Sequence, residues 1–150
     1  MSRTPAKTAE ANTKAYLRTK VMTAGPAELR MMLFDGALRF AEKGRAGLAE
    51  RDFEVAYEGI SRCQQILLEL INGLQPEQDP ALCERLSGLY TFMYTRLIDA
   101  SQERSAEIVE EVIKLLEYEQ QTWSMLLEKL AEEKSESGPQ PSDGPLSLAG

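Results

Sequence analysis

The sequence predicts an all-α protein: an antiparallel up-down four-helix bundle with a short N-terminal helical arm. Apolar residues recur every three or four positions in four long stretches, and nowhere do β-branched residues alternate as a strand requires. Hydrophobic residues make up 43% of the chain and charged residues 27%, and 150 residues suffice for one domain with its own core. Short connections between long helices favour the up-down arrangement.

Composition divides the chain into three parts. We predict a disordered N-terminal arm over residues 1 to 14, a helical bundle over residues 15 to 134 and a disordered tail over residues 135 to 150. The tail reads SESGPQPSDGPLSLAG, which is too rich in Ser, Gly and Pro to hold a helix or to contribute a core.

The first long helix is predicted to begin at Pro26, with Gly25 as its N-cap, and to run to about Ala49. We expect Gly36 to be helical and to let a neighbouring helix approach closely. One face of this helix carries Met32, Leu29, Gly36, Phe40, Leu33 and Ala37, and a second apolar strip beside it carries Met31, Phe34 and Leu38. Asp52 is placed to cap the second helix, which continues to a break that begins at Gly73.

The third helix is predicted to begin near Pro80 and to end near Ser101. Tyr94 and Ile98 lie to one side of the apolar stripe of this helix. The fourth helix begins after Ser105.

The fourth helix carries one charged residue and one tryptophan within its apolar stripe. Glu119 interrupts the apolar stripe, and we expect its side chain to snorkel or to pair with an arginine at the bundle edge. Trp123 lies within the stripe and is expected in the core.

Composition argues against catalysis and cofactor binding. Histidine is absent, which removes the commonest general base and the commonest metal ligand. No glycine-rich phosphate-binding motif occurs, and Cys63 and Cys83 show none of the close pairing of zinc or redox sites. We therefore expect a protein that is not an enzyme, with no cofactor and with both thiols reduced.

Charge and hydropathy narrow the choice of partner. The net charge of −7 argues against nucleic acid, whose phosphates require clustered Lys and Arg. No apolar run is long enough to span a membrane, and residues 1 to 20 lack the apolar core of a secretory signal. We therefore predict a protein partner in the cytoplasm and no insertion into the membrane.

A specific residue pattern surrounds the first long helix. Ala15-Tyr16 and Val21 precede Thr23-Ala24-Gly25-Pro26, and Leu29 is followed by Met32-Leu33-Phe34-Asp35-Gly36-Ala37-Leu38. The pattern resembles the flagellar export chaperone FliS family, and the similarity continues through Ala56, Gln65-Ile66-Leu67, Leu89-Tyr90, Arg96-Leu97-Ile98 and Trp123. Three positions depart from that family's usual residues: Gly25 replaces a serine, Phe34 a tyrosine and Gln120 an arginine.

The resemblance implies a cytoplasmic chaperone that holds the C-terminal segment of flagellin and prevents its premature polymerisation. It also implies delivery of flagellin to the flagellar type III export gate, whose component FlhA is a further candidate partner. Tyr16, Leu17 and Val21 match the family's N-terminal arm, which resembles a segment that covers the apolar surface when the partner is absent.

A partner that folds into helices on binding needs an apolar groove. Because a core requires only one stripe, five residues offer surplus apolar surface for such a groove. These are Met31, Phe34, Leu38, Tyr94 and Ile98. For each of them, burial in a tight bundle is the open alternative.

Two other functions stay open from the sequence. A structural helical bundle could associate with copies of itself, giving a weak homodimer, although the stripes are wider than coiled-coil heptads. A bundle binding an apolar ligand internally has less support, because the sequence shows no constellation of polar residues aimed at the core.

Overall fold

The computed structural model describes residues 11–16 and 25–137. Four long helices follow the short helix α1 of residues 11–16: α2 Pro26–Ala49, α3 Phe53–Asn72, α4 Pro80–Glu103 and α5 Ala106–Ser137. Helices α2 and α4 each pack against α3 and α5, so antiparallel neighbours form a closed ring with α2 and α4 on one diagonal. No strand occurs in the described ranges. The predicted all-α bundle is confirmed.

The helix starts follow the predicted capping residues. Helix α2 begins at Pro26 after an extended Gly25, which makes no side-chain cap. The Asp52 side chain accepts a hydrogen bond from the Val55 amide at 3.3 Å, and the Ser105 hydroxyl accepts one from the Ile108 amide at 3.2 Å. These bonds satisfy amide groups that the first turn of a helix leaves without a partner.

Helix boundaries differ from the predictions in three places. Residues 11–14, expected to be disordered, belong to α1, and α5 runs to Ser137 rather than ending at residue 134. The strong helix breakers come later, at Gly138 and Pro139, while Ser and Glu are tolerated in a last turn. Helix α4 continues to Glu103, where Arg104 takes a left-handed conformation and ends it.

The core of the bundle is lined by residues from all four long helices. On α2 its centre is Phe34, with Ala37 and Ala41. Of the face predicted from the sequence, Gly36 and Ala37 are buried, whereas the larger residues are only half-buried: Leu29, Met32, Leu33 and Phe40. The remaining buried apolar residues are Leu48, Ala56, Ile60, Cys63, Leu67, Leu70, Tyr90, Met93, Leu97, Ala100, Ile108, Val109, Val112 and Leu116. The Cys63 thiol is free, and burial raises its pKa to about 12.

Glycines set the distance between α2 and α3. A Cβ placed on Gly59 would lie 2.6 Å from the Gly44 nitrogen and 2.7 Å from the Phe40 carbonyl oxygen. A Cβ on Gly47 would lie 2.6 Å from the Ala56 nitrogen. The expected close approach at Gly36 is present in milder form, since its Cβ would lie 3.1 Å from Ile66. Backbone contact without intervening side chains makes α2 and α3 the closest helix pair in the bundle.

Candidate protein-binding surfaces

The five predicted groove residues do not form one groove. Met31 and Leu38 are half-buried on α2, whereas Tyr94 and Ile98 are on α4. Because α2 and α4 lie diagonally across the bundle, these two pairs line different seams between helices. The five residues therefore belong to more than one surface, and their role in partner binding stays a prediction.

Phe34 contributes no surface at all. Its side chain is fully buried and meets the Tyr90 ring edge-on, with 6.4 Å between ring centroids. The small side chains of Ala37 and Ala41 continue the same face of α2 and leave room for large residues from the other helices. For Phe34 the alternative of burial is the correct one.

The residues predicted for the N-terminal arm are only partly described. Tyr16 belongs to α1 and its side chain is largely exposed. Leu17 and Val21 lie outside the described residues.

Two hydrogen bonds fix the register of the seam between α3 and α4. The Tyr57 hydroxyl donates to the Ser101 carbonyl oxygen at 3.4 Å, and the Gln64 amide nitrogen donates to the Tyr94 carbonyl oxygen at 3.1 Å. The two helices are antiparallel, so each residue forward along α3 lies level with one residue back along α4. Four residues beyond Gln64, Leu68 is level with Tyr90.

Apolar side chains are exposed along this seam. Tyr57 is 37% exposed, Leu68 45% and Ile98 40%, while Tyr94 and Ile71 are half-buried beside them. Sequence reasoning missed Tyr57 and Leu68. The signal for both was their spacing, since Tyr57, Gln64, Leu68 and Ile71 follow one edge of α3 at intervals of three, four and seven residues.

A cavity of about 400 Å³ opens at the end of the bundle where α2 and α4 begin. Its lining includes Pro26, Leu74, Leu82, Leu86 and Trp123, and Arg30 crosses it with its guanidinium carbon 5.1 Å from the centroid of the Trp123 ring. Trp123 is thus half-buried against the core rather than enclosed within it. The cavity has mainly apolar walls and one central cation.

Beneath this cavity lies a short polar chain. Arg30 donates to the Tyr90 hydroxyl at 3.4 Å, and that hydroxyl donates to a Glu119 carboxylate oxygen at 3.4 Å. Burial, followed by the charge of Glu119, raises the pKa of Tyr90 to about 12. Glu119 is therefore buried and bonded to a tyrosine, rather than snorkelling or pairing directly with an arginine at the bundle edge as expected.

Metal-ligand clusters and membrane-spanning helices are both absent from the described residues. Within residues 11–16 and 25–137 no three side chains of the Cys, Asp and Glu types come together in a metal-binding group. No helix of the described ranges is both long and apolar enough to cross a membrane.

Comparison with known proteins identifies the family. A family model described as "Flagellar protein FliS" matches residues 8–130. The chain belongs to the FliS family. All eight residues predicted for partner binding fall within the matched range, and the family assignment agrees with the resemblance found around α2.

Curated FliS relatives match along most of their length. The flagellar secretion chaperone FliS of Salmonella typhimurium is 32% identical over 127 residues, covering 81% of this chain and 94% of the relative. That of Campylobacter jejuni is 30% identical, covering 73% and 85%, and that of Bacillus subtilis is 27% identical, covering 83% and 92%. The family is thus one of flagellar secretion chaperones.

Proposed function

We propose that this FliS family member is a cytoplasmic export chaperone for flagellin. It holds the C-terminal segment of flagellin, prevents premature polymerisation and assists delivery to the flagellar type III export gate. Support comes from the relatives, which are named flagellar secretion chaperones. The observation that carries the proposal is the chemistry of the seam between α3 and α4.

Uncharged residues line both edges of that seam. Tyr57, Ser61, Gln64, Leu68 and Ile71 follow the α3 edge, and Ser87, Thr91, Tyr94, Ile98 and Ser101 follow the α4 edge. None of these ten positions is charged, in a chain where 27% of residues are. Depletion of charge around exposed aromatic and aliphatic side chains is characteristic of the centre of protein–protein interfaces.

The seam suits an amphipathic helix. From Tyr57 to Ile71 it extends about 21 Å along α3, which matches about four turns of a bound helix. A disordered client segment that folds there would place apolar anchors at intervals of three and four residues against Leu68 and Ile98. While it is bound, the same apolar face of the client is unavailable for assembly into a filament.

Other predicted residues extend this proposal. Tyr16, Leu17 and Val21 of the N-terminal arm and the half-buried Met31 and Leu38 would contact further parts of a long client segment. We also propose that the chain contacts the export-gate component FlhA.

The test is a calorimetric titration with the C-terminal segment of flagellin from the same bacterium, with helicity followed by circular dichroism. We expect binding with a gain in helix beyond the sum of the free components. Ile98→Asp and Leu68→Asp should each weaken binding by at least about tenfold, because each places a charge in the apolar contact.

The matched control is Met125→Asp, an equally drastic change of an exposed apolar residue on α5. It should leave the dissociation constant within about twofold of that of the unchanged protein. Absence of binding by a well-folded chain would exclude the C-terminal segment of flagellin as the partner. Equal losses in all three variants would instead show that the seam is not the binding site.

A further inference from the structure

Apolar side chains of α5 continue beyond the cavity at the end of the bundle. Trp123 lines the cavity, and Leu126 and Leu130 follow it at intervals of three and four residues, on the same face of the helix. Leu126 is 43% exposed and Leu130 51%, so the described residues leave about half of each side chain uncovered. The lining of the cavity and these two leucines form one apolar surface, here called the end surface.

Helix α5 projects beyond the start of α4. The Tyr90 hydroxyl bonds Glu119, so the antiparallel helices α4 and α5 are level there. Ten residues before Tyr90, α4 begins at Pro80, and ten residues beyond Glu119, α5 has reached Lys129. Residues 130–137 therefore extend about 12 Å past the start of α4. The chain thus leaves α5 at the same end of the bundle as the cavity.

The sequence that follows α5 suits this surface. Residues 138–145 carry three prolines, two glycines and no large apolar side chain. Leu146 and Leu148 then provide the only large apolar side chains among residues 138–150. Because side chains two residues apart point to the same side of an extended chain, both leucines can enter one apolar site together.

Charge favours the same contact. Arg30 crosses the cavity, and none of the ion pairs among the described residues includes it. Asp143 carries the only charged side chain among residues 138–150, three positions before Leu146. Three extended residues span about 10 Å, so a docked Leu146 brings the carboxylate of Asp143 near the guanidinium of Arg30.

The chain is long enough to return to the cavity. The fourteen residue steps of α5 from Trp123 to Ser137 cover about 21 Å. The nine steps from Ser137 to Leu146 span up to about 30 Å when extended. Leu146 therefore reaches Trp123 without any change in the bundle.

We propose that residues 145–148 dock on the end surface of their own chain, with Leu146 and Leu148 against Trp123. The contact buries two leucine side chains, and the cost of ordering the residues before them offsets much of that gain. Because the segment is tethered, even a weak contact is populated. Docked and undocked states should therefore have similar populations, which makes the segment a reversible cover of the end surface.

Acrylamide quenching of tryptophan fluorescence tests this docking. Trp123 is the only tryptophan of the chain, so its emission reports on the cavity. Truncation after Ser137 should raise the quenching constant by roughly 1.5-fold or more, because about half of the molecules lose their cover. The double variant Leu146→Asp with Leu148→Asp should reproduce the truncated chain. Asp143→Lys should give an intermediate value, because it places a cation near Arg30.

The matched control is Gln140→Asp with Ser142→Asp, which adds the same two charges outside the docking segment. It should leave the quenching constant of the full chain unchanged, and circular dichroism establishes that every variant is folded. Equal quenching of the full and truncated chains would overturn the proposal. Protection that rises with protein concentration would overturn it in favour of a second copy as the occupant. Protection lost on removing residues 1–24, but not on removing residues 138–150, would assign the surface to the N-terminal segment instead.

Discussion

Single glycines have opposite roles in this bundle. Gly59 lies against the backbone of Gly44, where a methyl group has no space, whereas Gly88 faces open space on α4. Both are helical, so they share the conformational cost of glycine and differ only in their surroundings. Comparing the two sites therefore distinguishes the effect of packing on stability from the effect of helix propensity.

Gly59→Ala and Gly88→Ala should therefore change stability in opposite directions. The first substitution places a methyl group 2.6 Å from a backbone nitrogen and should lower the free energy of unfolding by at least about 2 kcal/mol. The second should raise it by roughly 0.5–1 kcal/mol, because alanine restricts the unfolded chain and favours helix. Urea unfolding measures both changes. An equal loss in both variants would show that helix packing does not distinguish the two sites.

Residue-scale predictions from the sequence failed where small side chains decide the packing. The predicted core face of α2 included Ala37, which is buried, but its larger members Met32 and Leu33 are only half-buried, and the centre lies at Phe34 with Ala41. A pattern of apolar residues does not reveal how closely two helices approach. In α2 and α3, the glycines determine how closely the two helices approach.

At the scale of the element, helix starts were predictable and helix ends less so. Pro26, Asp52 and Ser105 each act within the first turn, so local chemistry determines where α2, α3 and α5 begin. Helix α4 ends where Arg104 adopts a left-handed conformation, which its side chain does not specify. Its guanidinium lies 4.1 Å from the centroid of the Phe53 ring, a contact between distant parts of the chain.

The last turns of α5 should contribute little to stability. Residues 131–136 are exposed throughout, whereas Trp123 packs against the core and under Arg30. Truncation after Lys134 should leave the melting temperature within about 2 °C of that of the full chain. Truncation after Thr122, which removes Trp123, should lower it by more than about 8 °C. Thermal unfolding followed by circular dichroism compares them, and a large loss on removing the residues after Lys134 would show that the tail supports the bundle.

For the whole molecule, the sequence predicted the bundle but not which of the candidate binding residues lie on the same seam. Four amphipathic stripes with short connections determine an up-down ring, and in such a ring the first and third long helices are diagonal. Met31 and Leu38 could therefore not share a groove with Tyr94 and Ile98. Tyr57 and Leu68, which do lie beside that second pair, become visible only once the pairing of α3 with α4 is known.

The arrangement divides the bundle into a close pair and a more open side. Glycine contacts hold α2 against α3, while α4 meets its neighbours through longer side chains and a few hydrogen bonds. Exposed apolar side chains lie along α4 on both sides, at Ile98 towards α3 and at Phe92 towards α5. A partner that binds on this side of the molecule would gain apolar contact.

The most direct test of the central claim is hydrogen–deuterium exchange of the chain with and without the C-terminal segment of flagellin. If the client helix lies in the seam between α3 and α4, binding should slow exchange within residues 57–71 and 87–101 more than elsewhere. Residues 106–117 of α5, away from the seam, should change least. Protection confined to α2 and α5, with α3 and α4 unchanged, would contradict the account.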